Sequence, residues 1–316
     1  MEKTGPSFSP SSGDIRLDRR YGRAEAALAQ GDRQEAIELL QQTLAEAPGF
    51  AAAWHLYGRA LATPEHHGAA AEAWRHYLTL DPADHLGASL DLASIGAIPA
   101  EQATPKTFAR ALFDAYAERF EAHLVDSLHY DAPARIRDAL LSLAATAGTP
   151  ARFRHAADLG CGTGLMGAAV RDLVDELSGC DLSPRMVARA AEKRHAGCRL
   201  YDTLATADAG DFLALSPAAG FDLVLAADVF IYLAALRPVL AGTAHALRPG
   251  GLFAFSVQSH AGNGVVVGPD RRFAHAEPWL RDALAEAGLT PLSVTPHRLR
   301  LDRGTPVPGL IVVARR

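Results

Sequence analysis

A glycine-rich segment followed by an acidic residue carries the clearest chemical signal in this chain. Residues 156–164 read Ala-Ala-Asp-Leu-Gly-Cys-Gly-Thr-Gly, and a second apolar run ends seventeen residues later at Asp181. Glycines permit a tight strand-to-helix turn in which backbone N–H groups approach a ligand with no Cβ in the way. An acid at this spacing can accept hydrogen bonds from ribose hydroxyls. The pattern predicts a site for a nucleoside cofactor.

The glycine spacing also has a second interpretation. Residues 162–167 satisfy the pattern Gly-x-Gly-x-x-Gly, which is typical of dinucleotide-binding sites. Taken alone, the glycines therefore leave a nicotinamide-dependent oxidoreductase open. The motifs that accompany the glycines favour one class over the other.

Four further motifs follow the glycines in order. They are Asp181-Leu182-Ser183-Pro184-Arg185-Met186, Asp208, Phe221-Asp222-Leu223-Val224 and Leu247-Arg248-Pro249-Gly250-Gly251. With Asp158 directly before the turn, this series resembles the class I S-adenosylmethionine-dependent methyltransferases over roughly residues 108–316. An ordered series of motifs is far more specific than any single one.

The resemblance implies that S-adenosyl-L-methionine is the cofactor. It implies that the glycines wrap the cofactor, that Asp181 binds the ribose, and that Asp208 meets the exocyclic amine of the adenine. Asp158 would help to place the methionine end through water. The implied cofactor-binding residues are Asp158, Gly160, Cys161, Gly162, Gly164, Asp181, Leu182, Met186, Asp208, Ala209 and Ala226.

Apolar runs bounded by Gly, Asp and Pro alternate with helical stretches, which indicates a parallel sheet covered on both faces. The predicted strands are 154–159, 174–180, 198–201, 221–226 and 252–258, and the tail segments 291–300 and 307–313 are compatible with a final antiparallel hairpin. With the resemblance, the fold class is α/β: a doubly wound, mostly parallel seven-stranded sheet of the Rossmann-like methyltransferase type, preceded by an all-α domain.

The first third of the chain shows a 34-residue period. Ala36, Leu40 and Pro48 recur as Ala70, Trp74 and Pro82. This resembles the tetratricopeptide repeat, in which small residues lie where two helices touch and a proline ends the second helix. Two copies occupy about 17–50 and 51–84, and residues 84–96 are predicted to cap them because two repeats alone are marginal. The predicted domains are a disordered tail at 1–14, the repeats at 15–98, a linker with cap helices at 99–150, and the S-adenosylmethionine-binding domain at 151–316.

Composition narrows the functional classes. Residues 1–100 contain 8 Lys/Arg and 13 Asp/Glu, a balance of −5, whereas residues 101–316 contain 23 of each. No basic stripe with interleaved aromatic residues appears, so we expect no nucleic-acid partner. No apolar run has the length of a membrane span and no secretion signal opens the chain, so we expect a cytoplasmic protein. The Ala- and Arg-rich composition is typical of a GC-rich bacterium.

Metal and disulfide chemistry is not expected. The three cysteines, Cys161, Cys180 and Cys198, are odd in number and widely spaced, and no His-Glu-x-x-His helix occurs.

Candidate residues for methyl transfer and acceptor binding lie outside the glycine motif. Asp228 follows the fourth predicted strand, and His275 lies in an insertion after the fifth that is predicted to act as a substrate lid. Tyr116 belongs to an aromatic helical stretch between the two domains. We expect catalytic roles for His275, Asp228 and Tyr116. The predicted substrate-binding residues are His123, Tyr232 and Arg272.

Three functional hypotheses follow. The leading one is an S-adenosylmethionine-dependent methyltransferase acting on a small-molecule or protein acceptor, with the repeats used for docking to a protein partner or for self-association. The alternative is a repeat-based adaptor whose second domain binds cofactor without turnover, and the third is the NAD-dependent oxidoreductase. Residues 226–229 read Ala-Ala-Asp-Val rather than Asn-Pro-Pro-Tyr, which disfavours amide and nucleobase nitrogens as targets. The sequence does not choose between O-, N-, C- and S-methylation.

Overall fold

Helices build the first third of the chain, and a sheet flanked by helices builds the rest. The structure, a computed structural model, describes residues 11–103, 106–122, 130–233, 235–268, 270–302 and 304–316. The chain divides into two compact units, one formed by Met1–Phe108 with Pro269–Arg271 and the other by Ala109–Gly268 with Arg272–Arg316. No helix in the described ranges is long and apolar enough to cross a membrane.

The α-helices have the following bounds. They are α1 Ile15–Gln30, α2 Arg33–Glu46, α3 Ala51–Leu61, α4 His67–Leu80, α5 Ala88–Ser94, α6 Lys106–Tyr116, the single turn α7 Phe120–Ala122, α8 Ala132–Thr146, α9 Leu165–Val170, α10 Pro184–Glu192, α11 Ala209–Leu215, α12 Leu236–Ala246 and α13 Glu277–Glu286. Short 3₁₀ turns occur at Pro64–His66, Ala100–Gln102, Arg171–Leu173 and Phe230–Tyr232.

The first unit consists of helices that pack on their neighbours in the chain. Side chains of Asp14 and Asp32 accept hydrogen bonds at the starts of α1 and α2, and Gly31 ends α1 in the left-handed conformation. The two-residue connection reverses the chain, so α1 and α2 run in opposite directions. The pairs α1–α2 and α3–α4 occupy the two predicted repeats, and α5 occupies the predicted cap. Their identity as tetratricopeptide repeats stays a prediction.

Small residues let these helices approach closely. A Cβ placed on Gly58 of α3 would lie 2.4 Å from the indole Nε1 of Trp74 in α4. Trp74 is almost fully buried and its Nε1 donates a hydrogen bond to the carbonyl of His55 at 3.2 Å. The close packing of Trp74 against α3 therefore depends on glycine, which has no side chain, at position 58.

An ion pair lies within the same unit. Asp91 of α5 accepts a hydrogen bond from His55 at 2.8 Å and pairs with Arg271 at 3.1 Å. Arg271 also donates to the backbone carbonyls of Leu86 and Gly87. Its guanidinium is thus committed to bonds inside this unit.

Eleven strands are present in the described residues. They are β1 Phe153–Leu159, β2 Val174–Asp181, β3 Arg194–His195, β4 Cys198–Arg199, β5 Thr203–Thr206, β6 Phe221–Ala226, β7 Leu247–His260, β8 Val265–Val267, β9 Phe273–Ala276, β10 Thr290–Asp302 and β11 Thr305–Arg315.

The main sheet has the strand order β10-β11-β7-β6-β1-β2-β5. The run from β7 to β5 is parallel, whereas β11 is antiparallel to both β7 and β10. Core residues of β6, such as Leu223 and Val224, are fully buried because helices cover both faces of the parallel part. A mostly parallel, Rossmann-like α/β sheet is therefore confirmed. The strands β8 and β9, which extend the sheet at the end of β7, occupy the insertion predicted as a lid.

The prediction of a sheet strand at 198–201 is wrong. Cys198–Arg199 pairs instead with Arg194–His195 in a separate two-stranded hairpin that turns at Ala196 and Gly197, both with positive φ. The third parallel strand is β5, four residues later. Leu200 and Tyr201 follow this hairpin and pack into the core. A Cβ on Gly179 of β2 would lie 2.9 Å from the Tyr201 ring.

The Gly58 contact predicts opposite effects for two glycine substitutions in the first unit. Gly58→Ala should lower the free energy of unfolding by about 1–3 kcal/mol, because the added methyl displaces the buried Trp74. Gly22→Ala is the control, since nothing lies within 4 Å of its Cβ position in α1. It should leave stability unchanged or raise it by up to about 1 kcal/mol. Urea denaturation measures both. Equal effects would contradict the packing account.

Candidate functional site

The turn after β1 is built from residues in the left-handed backbone region. Gly160, Gly162 and Gly164 have φ values of 61°, 52° and 97°. A Cβ on Gly160 would lie 2.5 Å from the side chain of Val229. The N–H of Cys161 bonds to the carbonyl of Cys180 at 2.8 Å, which ties the turn to the end of β2. Only glycine satisfies both the dihedral angles and the close approach at position 160.

Asp181, the last residue of β2, organises the turn from the neighbouring strand. Its two carboxylate oxygens accept hydrogen bonds from the N–H groups of Gly162 at 2.9 Å and Ser183 at 2.8 Å. Burial raises the pKa of Asp181, although these two hydrogen bonds act in the opposite direction. Each oxygen can accept further hydrogen bonds. A diol placed above the turn would find acceptors here.

Asp158 is a second buried acid beside the turn. It is fully buried, and its Oδ2 accepts a hydrogen bond from the hydroxyl of Tyr201 at 2.6 Å. Within the described part of the chain, its Oδ1 makes no hydrogen bond of good geometry. Burial raises the pKa of Asp158 to about 7, and the negative charge of Asp181 adds to the rise, while Tyr201 and the Gly167 backbone oppose it. A cationic group would stabilise the ionised form of this carboxyl.

The residues predicted to surround an adenine lie at two helix starts. Ser183 caps α10 by accepting the N–H of Met186, and Asp208 caps α11 by accepting the N–H of Asp211. Met186 and Ala209 are buried, whereas Leu182 is half-buried. The N–H of residue 207 bonds to the carbonyl of Asp181 at 3.0 Å, so both helix starts are attached to the same strand end.

A helical segment from residues 109–122 covers the glycine turn. Asp114 of α6 accepts a hydrogen bond from the Ser183 hydroxyl at 2.6 Å, and its carbonyl accepts one from Arg185. The ring of Phe120 lies 3.6 Å from the Cβ position of Gly162. The charged pair of Lys193 and Glu121, at 2.8 Å, holds the end of this segment. These contacts place aromatic side chains next to the turn.

Four half-buried aromatic rings form a continuous cluster there. Phe113 packs edge-on against Phe120 and Tyr232, with ring centres 6.2 and 4.8 Å apart, and Tyr116 packs edge-on against Phe120 at 5.7 Å. Arg272 donates two hydrogen bonds to the hydroxyl of Tyr232, at 3.1 and 2.9 Å. Of the residues predicted for catalysis and substrate binding, the structure thus brings together Tyr116, Tyr232 and Arg272 through this cluster.

Asp228 follows the end of β6 and also has a left-handed backbone, with φ of 61°. Its N–H donates to the hydroxyl of Ser256 at 2.9 Å, and its carboxylate pairs with Arg300 at 3.4 Å. Arg300 is 2% exposed and donates to the side-chain carbonyl of Gln258 at 2.8 Å. Ala226, directly before this bend, is fully buried.

The pKa of Tyr130 depends on charged groups on both sides of the site. Burial raises the pKa of Tyr130 well above its usual range, Asp228 and Asp158 add to the rise, and Arg300 opposes it. Sequence reasoning missed Tyr130, Gln258 and Arg300. The signal that could have found Arg300 was its charge at the end of the predicted strand 291–300.

Two other predicted residues lie elsewhere. His275 is fully buried in β9 with its ring 5.5 Å from the ring centre of Trp279. Burial lowers the pKa of His275 to about 4, with His260 adding to the effect and the Gln258 backbone opposing it. His123 lies outside the described residues.

Cys161 lies in the glycine turn with its side chain buried. Burial raises the pKa of the Cys161 thiol well above its usual range, which disfavours the reactive thiolate. The described ranges contain no group of three or more side chains able to hold a metal ion.

Comparison with known proteins agrees with this geometry. Residues 157–253 match the family model of a methyltransferase domain. No curated protein matches the chain. The chain is similar to the 1,6-didemethyltoxoflavin-N1-methyltransferase of Burkholderia thailandensis, solved with 1,6-didemethyltoxoflavin and S-adenosylhomocysteine, at 22% identity over 68% of this chain and 91% of that one, with a TM-score of 0.51.

Two further solved structures are similar over comparable lengths. The N-methyltransferase NodS of Bradyrhizobium japonicum WM9 is 21% identical over 66% of this chain and 97% of that chain, with a TM-score of 0.49. The magnesium protoporphyrin IX methyltransferase of Synechocystis PCC 6803 is 18% identical over 67% and 97%, also with a TM-score of 0.49.

Residues 157–253 therefore match a methyltransferase domain, and the sheet has the fold of a solved methyltransferase structure. The residues present fit S-adenosylmethionine, because the turn exposes the backbone of three glycines in the left-handed region and, among the described residues, the buried Oδ1 of Asp158 has no hydrogen-bond partner. A cofactor with a cationic amino group suits two buried acids better than an anionic pyrophosphate does.

Titration of Asp158 predicts how stability changes with pH. The pKa of Asp158 is raised in the folded state. Its contribution to the free energy of unfolding is therefore fully present below about pH 4 and is lost as pH rises through about 7. The free energy of unfolding of the wild type, relative to Asp158→Asn, should therefore fall by on the order of 2 kcal/mol between pH 5 and pH 8. Chemical denaturation at several pH values measures this difference, in which other titrating groups cancel. A flat difference would show that Asp158 titrates normally.

Proposed function

We propose that this chain is an active enzyme that transfers a methyl group from S-adenosyl-L-methionine to a small-molecule or protein acceptor. The observation that carries the proposal is the carboxylate of Asp181, which is buried at the glycine turn and bound to two backbone N–H groups. In the proposed complex, this carboxylate accepts the ribose hydroxyls, and Leu182, Met186, Asp208 and Ala209 surround the adenine. The turn at Gly160–Gly164 follows the backbone of the cofactor toward Asp158.

Charge supports this cofactor over a dinucleotide. Asp158 and Asp181 are both buried beside the turn, and burial raises the pKa of each. A pyrophosphate in the same place would bring two further negative charges next to two buried carboxyl groups, which is costly. The α-amino group of S-adenosylmethionine would instead compensate the carboxylate of Asp158. We therefore set aside the NAD-dependent oxidoreductase.

The aromatic cluster supports an acceptor with a flat or apolar surface. The rings of Phe113, Tyr116, Phe120 and Tyr232 are half-buried and adjacent to the turn. Rings that keep exposed faces next to a cofactor site offer area for stacking. We propose that the acceptor lies between this cluster and Asp228. The neighbour from Burkholderia thailandensis acts on a flat heterocycle, so 1,6-didemethyltoxoflavin belongs among the first acceptors to be tested.

Positioning is the main catalytic contribution that we assign to the protein. The cofactor supplies an electrophilic methyl group on a sulfonium, and transfer requires the acceptor atom in line with the departing sulfur. Good alignment is worth on the order of 7–11 kcal/mol, against a few kcal/mol for a general base. Tyr116 and Asp228 lie where they can orient an acceptor. For His275, which is fully buried beside Trp279, we propose a packing role.

We further propose that the helical unit serves docking or self-association rather than catalysis. Residues 1–100 carry the whole net charge of −5. Two large apolar side chains of this unit are exposed, Ile15 at 68% and Leu80 at 39%. We propose these two side chains as contact positions for another protein chain. Because the site residues favour an active enzyme, the adaptor with a non-catalytic second domain becomes the secondary hypothesis.

The cofactor proposal predicts selective loss of binding in one variant. Wild-type protein should bind S-adenosylmethionine and S-adenosylhomocysteine, but not NADH, in titration calorimetry. Asp181→Asn should weaken both by about 30- to 100-fold, since a charged hydrogen-bond acceptor for the ribose is lost. The control is Asp202→Asn, which also removes a carboxylate bonded to a backbone N–H, that of Leu177, and should leave affinity unchanged.

Two outcomes decide between the remaining functions. NADH binding with no adenosyl binding would reinstate the oxidoreductase. Binding without release of S-adenosylhomocysteine, in a panel of flat heterocycles, amines, phenols and peptides, would favour the adaptor.

Self-association predicts a concentration-dependent mass. In sedimentation velocity, the full chain should exceed the monomer mass, and Leu80→Ser should shift it toward the monomer by removing exposed apolar area. Leu215→Ser is the control, because Leu215 is 87% exposed in the other unit. A monomer at every concentration would remove self-association and leave docking to a different protein.

A further inference from the structure

A buried cation reaches the acceptor side of the site from the last hairpin of the sheet. Arg300 lies in β10 and its side chain is 2% exposed. A buried guanidinium is stable only when charged and polar groups surround it. Groups of this kind among the described residues include the carboxylate of Asp228 at 3.4 Å and the side-chain carbonyl of Gln258 at 2.8 Å. The residues come from three separate parts of the sheet, the ends of β6, β7 and β10.

Asp228 is held in an uncommon conformation at this point. A non-glycine residue with φ of 61° costs free energy unless its surroundings fix it. Here the Ser256 hydroxyl accepts its N–H and Arg300 binds its carboxylate. The next residue, Val229, fills the space above Gly160 of the cofactor turn. The bend therefore sets Asp228 beside the turn with its carboxylate direction determined by Arg300.

We propose that Arg300 is a positioning residue for methyl transfer: it keeps the Asp228 carboxylate ionised and aimed at the acceptor, whose N–H or O–H group that carboxylate binds. This inference rests on the proposed function. It narrows the acceptor to a neutral group with a lone pair on the methylated atom and a hydrogen-bond donor on, or next to, that atom. A carboxylic acid is disfavoured as the methylated group.

The charges around the cluster support this choice. Arg300 and Asp228 neutralise each other. Among the residues that the structure describes, the groups that also face them include Gln258 and Ser256 of β7, Tyr130 before α8, and Asp158 of β1. These four groups add no positive charge, and Asp158 adds a negative one when ionised. An anionic acceptor would therefore meet repulsion, whereas an N–H or O–H donor would meet an oriented carboxylate.

The reaction balances with the cluster in this role. The lone pair of the acceptor atom forms the new bond to the methyl carbon, the carbon–sulfur bond breaks, and its electron pair stays on sulfur. S-adenosylhomocysteine leaves as the neutral thioether, and the acceptor releases its proton to water. Asp228 accepts the donor hydrogen bond that turns the lone pair toward the methyl group. Arg300 touches none of the reacting atoms.

The test uses two cofactor ligands that differ by one charge at the site. S-adenosylmethionine carries a sulfonium and S-adenosylhomocysteine a neutral sulfur, so the ratio of their dissociation constants reports the charge of Asp228. Calorimetry on the full chain measures this ratio from pH 6 to pH 9. The titration of Asp158 affects both ligands alike, because both carry the same amino group. In the wild type we expect a ratio that favours the sulfonium at every pH.

The variants have distinct expected results. Asp228→Asn should reduce the preference for the sulfonium by about five- to tenfold at all pH values. Arg300→Gln should reduce it equally at pH 6, where the carboxylate that no longer binds Arg300 takes up a proton, and restore it toward pH 9. Arg300→Lys should keep the wild-type ratio. Arg298→Gln, an exposed residue of the same strand, is the control and should change nothing.

Contrary results have separate meanings. If Arg300 were only a nearby positive charge, Arg300→Gln would raise the preference for the sulfonium, and if it were only structural, the ratio would stay constant while the melting temperature fell. Either result overturns the positioning role and leaves the methyltransferase intact. Should Arg300→Gln fail to fold, Arg300→Lys carries the test, because loss of the preference there overturns the proposal. Failure of the wild type to bind either ligand would overturn the proposed function itself.

Discussion

The second unit depends on a turn that must be left-handed at three closely spaced glycines. Side chains at these positions would each be strained, and at Gly160 a Cβ would also collide with Val229. The strain-free turn is then held by the neighbouring strand, through the N–H of Cys161 on the Cys180 carbonyl and the N–H of Gly162 on the Asp181 carboxylate. One set of hydrogen bonds thus fixes both the turn and the acid beside it. Everything proposed for the cofactor depends on this coupling.

Burial of like charges is the second constraint. Burial raises the pKa of both Asp158 and Asp181, and the negative charge of Asp181 raises the pKa of Asp158 further. A cation bound beside these two carboxyl groups would stabilise their ionised forms. S-adenosylmethionine carries two positive groups, the amino group and the sulfonium. Farther along the strand ends, Arg300 balances Asp228 from within the protein. We infer that the end of the site near Asp158 and Asp181 binds a cationic ligand. At the acceptor end, the charges of Arg300 and Asp228 balance each other.

The sequence predicted those parts of the fold that depend on local pattern. The strands β1, β2 and β6 were placed to within one residue, because Gly and Asp bound their apolar runs directly. The strand at 198–201 was placed wrongly because Tyr201 makes contacts with residues that are distant in the sequence. Its ring packs on Gly179, and its hydroxyl donates a hydrogen bond to Asp158. Arg300 was missed for a related reason. Its partners, Asp228 and Gln258, are 72 and 42 residues away in sequence, so only the register of the hairpin brings them together.

The central claim is that the turn and Asp181 bind the adenosyl group with the sulfur directed toward Asp228. A crystal structure of the full chain with S-adenosylhomocysteine tests it most directly. We expect both ribose hydroxyls within hydrogen-bond distance of the Asp181 carboxylate, the amino group beside Asp158, and the sulfur on the side of the aromatic cluster and Asp228. A ribose bound away from Asp181, or an adenosyl group outside the glycine turn, would contradict the account.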